Sequence, residues 1–207
     1  LNETARIEAF SDGIFSIAAT LLVLELKAPA ANVPFWHAMA AMWPGYVSFV
    51  LSFFFIGIMW INHHRLFVHI EKADDLLMAV NLLVLLGVVF VPYPTSLMAT
   101  SITSGNAVYA RDVAILYNAG YLGISVLFNL LWLVCRRQNV LDHYLGVEHV
   151  HEATGQYVIG LICYAACLGM TWFSVPLSLA MNAVIAIWFL IPPRHRDFGR
   201  GARKPAR

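Results

Sequence analysis

Six apolar runs, each close to the length needed to cross a lipid bilayer, limit what this chain can fold into. They cover residues 10–26, 46–60, 76–97, 113–134, 157–173 and 177–191. About 20 helical residues span the hydrocarbon core. In lipid every backbone donor and acceptor must be satisfied, which for runs of this kind means helices. Composition agrees, with 60% hydrophobic and 12% charged residues where a soluble domain carries about a quarter charged. The expected fold is an all-α integral membrane protein with six transmembrane helices, one domain over residues 1–207, and a basic tail at 192–207. The second run is expected to continue through Ile70, with a short interfacial helix over residues 34–43 leading into it. The 207 residues leave no room for a separate soluble domain.

Lysine and arginine in short loops mark the cytoplasmic side. Six spans put Arg6, Arg65, Lys72, Arg136, Arg137 and, from Arg194 onward, five arginines and Lys204 on one side, against Lys27 and Arg111 on the other. Both termini are therefore expected in the cytoplasm. The basic tail reads as a positive-inside anchor that also attracts anionic lipid, and no nucleic-acid partner is expected. The first run ends in small residues, "LLVLELKAPAA", as a signal peptide does. Glu3, Glu8, Asp12 and Glu25 contradict the basic start and uncharged core of one, so the run is read as a retained helix.

The stretch "RIEAFSDGIFSIAATLLVLEL" places Asp12 at the mouth of that first helix, where a carboxylate near lipid is costly. On a wheel of about 100° per residue with Ile17 at zero, Phe10, Gly13, Leu21 and Leu24 fall within about 40° of it. Ser16 and Thr20 lie beside this stripe, and Asp12 lies about 140° away. Asp12 should be level with "WINHHRLF" at the end of the second run and with Asn81 early in the third. Trp60, Asn62, His63, His64, Arg65 and Asn81 are the donors within its reach, and Asp12 is expected to tie helices together through them. The apolar stripe has two open readings. It is core packing, or copies of this helix surround an axis, where rings of Ile17, Leu21 and Leu24 form a constriction that gates by dewetting.

Other chemistry is poorly supported. His63 and His64 point about 100° apart on a helix, and His149 with His151 could chelate only from a loop, so no metal site and no cofactor are expected. Histidine's titration range makes a pH effect through His63 or His64 a testable expectation. Cys135, Cys163 and Cys167 have no redox or metal spacing. No nucleophile motif accompanies Asp12 and His63, and an enzyme is not expected. A secondary transporter should show paired repeats and broken helices. One strong break is visible, at Pro92 and Pro94, with Thr95 and Ser96 placed to satisfy freed carbonyls, and no internal repeat is seen. The longest connection, over residues 136–156, is expected along the cytoplasmic surface.

Arg6, Phe10, Ser11 and Asp12 spell R-x-x-x-F-S-D at the start of the first helix. Together with "GIFSIAATLLVLEL", W-x-N-H-H at Trp60–His64 and N-L…F-x-P-Y-P-T from Asn81, this resembles the transmembrane protein 175 family, the endolysosomal potassium channels and their prokaryotic relatives. The similarity extends over the six-run layout, although the last three runs carry no specific motif. Animal members have two six-helix repeats per chain and prokaryotic members one. The resemblance therefore implies a prokaryotic homotetramer in a bacterial inner membrane, with the first helix lining a central pore. It implies a potassium-permeable channel without a TVGYG filter, a sequence absent here. The narrowest ring would be Ile17, followed by Leu21 and Leu24, with Thr20 the nearby hydroxyl and Ser16 a further polar group. Potassium in transit would be the permeant ion. Glu25 would either concentrate cations at the outer mouth or pair with Lys27 or solvent.

Overall fold

A computed structural model describes residues 3–29, 32–70, 72–138, 140–141 and 147–190. The basic tail at 192–207 and part of the 136–156 connection lie outside them. Among the described residues there are eight α-helices: α1 (Glu3–Leu21), α2 (Phe35–Ala41), α3 (Trp43–Phe67), α4 (Asp75–Phe90), α5 (Pro92–Thr103), α6 (Ala107–Arg137), α7 (Val147–Met170) and α8 (Val175–Leu190). Among the described residues five segments are long and apolar enough to cross a membrane, with α4 and α5 counted together. The sixth, α8, is apolar but only 16 residues long. The expected interfacial helix is present as α2, which buries none of its residues.

Local chemistry accounts for several helix ends. Asp74 caps α4, its Oδ1 accepting the Leu77 N–H at 2.9 Å, and thereby satisfies one of the first-turn donors. Asn106 caps α6 by accepting from Val108 and Tyr109. Just before it Gly105 has φ of 69°, a left-handed conformation in which a side chain would be strained. Arg136 and Arg137 occupy the last turn of α6, where positive charge suits the helix dipole.

Proline divides the third apolar run. α4 stops at Phe90 and α5 restarts at Pro92, because a proline supplies no N–H to the preceding turn. Thr95 Oγ1 donates to Val91 O at 2.8 Å and Ser96 Oγ to Tyr93 O at 3.0 Å, as expected from their positions. The 136–156 connection is shorter than expected, since α6 runs to Arg137 and α7 already begins at Val147. Hydropathy misses the first turns of α7, but Val150, Ala153 and Tyr157 repeat at helical spacing and pack against the core.

α1 packs against α3 and α4, α3 against α5, α4 and α5 against α6, and α7 between α6 and α8, which closes back onto α3. At the centre Phe55, Tyr121 and Tyr164 form a ring cluster, with centroids 4.7 to 5.9 Å apart.

Candidate functional site

The two faces of α1 have different surroundings. Thr4, Ser11, Phe15, Ala18 and Leu22 are buried against the rest of the subunit. Their spacing of seven, four, three and four residues makes one side of a helix. The stripe drawn from sequence is on the other side. Phe10 is 56%, Ile17 59% and Leu24 74% exposed, with Leu21 exposed too. The core-packing reading of this stripe therefore fails within one subunit. A side chain added at Gly13 would meet nothing within 4 Å. Arg6 is also exposed, and its place on the wheel is within about 20° of Ile17. The regular wheel ends before Leu24, because residues Leu22–Glu25 tighten into a 3-10 turn. Ser16 is exposed without a hydrogen-bond partner among the described residues, whereas Thr20 Oγ1 donates to Ile17 O at 2.9 Å.

Asp12 anchors this helix as expected, but through one donor. Trp60 Nε1 donates to Asp12 Oδ1 at 2.8 Å and ties α1 to α3. The other expected donors are used elsewhere. His63 and Asn81 serve Ser11, not Asp12, in a buried chain: Asn81 Nδ2 donates to Ser11 Oγ at 3.1 Å, and Asn81 Oδ1 is 2.8 Å from His63 Nε2. Since Asn81 Oδ1 can only accept, the network assigns the His63 proton to Nε2. The ring of His63 is also held by Phe15, edge-on at 5.3 Å, and by Phe67, stacked at 4.3 Å. His64 is exposed and stacked near Trp60 at 6.0 Å, and Asn62 and Arg65 do not bond to Asp12. No ion pair links Glu25 to Lys27.

Two buried polar clusters were not anticipated. Ser52 Oγ is a hub, 2.8 Å from Thr95 Oγ1, 3.3 Å from Tyr117 Oη and 3.2 Å from Tyr121 Oη. Thr95 spends its proton on Val91 O, so Ser52 donates to Thr95 and accepts from both tyrosines. In the second cluster, Asn118 Nδ2 donates to Ser178 Oγ at 3.1 Å and Asn182 Nδ2 to Asn118 Oδ1 at 2.9 Å. Ser178 Oγ donates to Cys167 O at 2.8 Å. The only available signal was a polar residue inside an apolar run, which does not reveal its partner. Cys135 and Cys167 are buried and unpaired, and Cys163 is half-buried. No group of three metal-ligating side chains occurs among the described residues.

Comparison with known proteins supplies the family. The model of the endosomal/lysosomal potassium channel TMEM175 matches residues 6–92. A potassium channel of Streptomyces collinus is 36% identical over 192 residues, covering 91% of this chain and 92% of the relative. The chain belongs to the TMEM175 family. A second bacterial member, a potassium channel of Chamaesiphon minutus, is 37% identical over 195 residues, with 92% and 95% coverage. The crystal structure of a lysosomal potassium-selective channel TMEM175 homologue from Chamaesiphon minutus superimposes with a TM-score of 0.81, covering 91% of this chain and 97% of that one. The TMEM175 family match spans α1, α3 and α4, the helices joined by the Asp12 and Ser11 contacts.

Proposed function

We propose that this chain is a bacterial inner-membrane potassium channel that assembles as a homotetramer, with α1 of each subunit around a central pore. Its bacterial relatives are named potassium channels. The observation that carries the reading is the outward stripe of α1, where Ile17 stands exposed beside a Ser16 hydroxyl without a partner. In lipid an unpartnered hydroxyl is unfavourable, whereas in a water-filled pore it is solvated. Rings of Ile17, Leu21 and Leu24 would then close the pore by dewetting, with Ser16 and Thr20 at its border. The hydrogen bond of Thr20 to its own helix leaves the hydroxyl lone pairs for a passing cation. The basic loop distribution supports six crossings with both termini in the cytoplasm. Conduction needs no cofactor and no catalytic group, so an enzymatic role is not proposed.

Potassium flux into proteoliposomes, measured beside sodium and caesium for the wild type and Ile17→Asn, tests the proposal. Passive flux in the wild type and larger or less discriminating flux in the variant are expected. If both are silent, or if uptake saturates and requires a proton gradient, the stripe is not a gate and a transporter or a non-conducting protein is the better reading.

A further inference from the structure

α3, α6, α7 and α8 leave a crevice that the pore reading does not use. Its volume is about 50 Å³, and it is open on one side. Its inner end is formed by Tyr121 and Tyr164, and its walls by Met59, Phe128 and Phe189. Gly160 borders the space with no side chain to fill it. The crevice runs beside α7, the span least enclosed by its own subunit, with 11% of its apolar window buried. Such an apolar slot, open on one side within the membrane, offers a surface along which a hydrocarbon chain can lie.

The end of the crevice towards the basic loops is polar. Asn62 and Gln156 stand there, and their amides have no hydrogen-bond partner among the described residues. Arg65 follows Asn62 by three residues, which places both on one face of α3. Arg136 Nη1 donates to Thr154 Oγ1 at 3.4 Å, which holds a second guanidinium against α7 about half a helical turn before Gln156. Glu152 is exposed nearby on α7 and pairs with neither arginine. Guanidinium groups bind phosphate by paired hydrogen bonds, and the cytoplasmic leaflet supplies anionic headgroups.

We propose that one acyl chain of an anionic phospholipid lies along this open crevice, with the phosphate at Arg65 and Arg136 and the amides of Asn62 and Gln156 on the headgroup. Native mass spectrometry tests this on the full-length protein, purified from membranes holding equal phosphatidylglycerol and phosphatidylcholine. The wild type should retain phosphatidylglycerol in preference, one per subunit. Combined Arg65→Gln and Arg136→Gln should abolish the preference, and Gly160→Leu should lower retention of both lipids. Independently of any variant, phosphatidylglycerol with a photoreactive group near its chain end should label Tyr121 or Tyr164. Equal retention of the two lipids by the wild type would overturn the proposal. So would labelling confined to outward residues such as Val126 and Ile162. Neither readout depends on ion conduction, so its failure would leave the channel reading standing.

Discussion

Ser11 and Asp12 are adjacent in the chain but hold different helices. Asp12 accepts from Trp60 of α3, while Ser11 accepts from Asn81 of α4 and through it reaches His63. Hydrogen bonds between membrane helices contribute on average about 0.6 kcal/mol and at most about 1.7 kcal/mol. Trp60→Phe, which keeps a ring and removes the donor, should therefore cost about 1 kcal/mol or less in thermal unfolding in detergent. Asn81→Ala should cost more, about 1–3 kcal/mol, because His63 and Ser11 are both left buried without their partner. If Trp60→Phe proves the more damaging, the exposed contact dominates and the buried chain matters little. Ser52→Ala removes the acceptor of two tyrosines at once, and a loss of about 1–3 kcal/mol is expected there as well. The Asp12 contact was legible because depth in the membrane limits the candidate partners. The Ser52 and Asn118 clusters were not, since nothing in an apolar run says which helix lies opposite.

Among the elements, α4 packs against α6 at Gly87. A Cβ there would stand 2.8 Å from Ile124 Cγ1, so near that the Ile124 side chain or the helices must shift. Gly87→Ala should destabilise the fold by about 1–3 kcal/mol through overpacking, read as a lowered melting temperature. Gly160→Ala is the matched control, because its Cβ would meet Ser125 Oγ at 3.8 Å and Phe189 Cζ at 3.9 Å in ordinary contact. Equal melting temperatures for the two would show that the α4–α6 contact yields easily. The break at Pro92 was legible because proline acts locally on its own helix. The early start of α7 was missed because hydropathy reports where lipid begins, whereas a helix continues into water wherever its apolar spacing and backbone bonds persist.

For the whole molecule, the telling property is that α1 has two faces and the subunit uses one. If the other lines a shared axis, light scattering in mild detergent should give a protein mass four times that of one chain. Leu21→Cys should then cross-link neighbouring subunits on oxidation, although Cys135, Cys163 and Cys167 remain unpaired. A monomer, or a cysteine at Leu21 that never cross-links, would place the stripe against lipid.

Composition, run length and proline placement were enough to determine an all-helical membrane protein, the break in its third run and the apolar stripe on its first helix. These properties are additive along the chain or confined to one helical turn. Which face of α1 is spent inside the subunit, and the division of Ser11 and Asp12 between α4 and α3, were decided only by the tertiary structure. Those choices depend on which helices become neighbours, and a buried polar group is satisfied by the neighbour it meets in space.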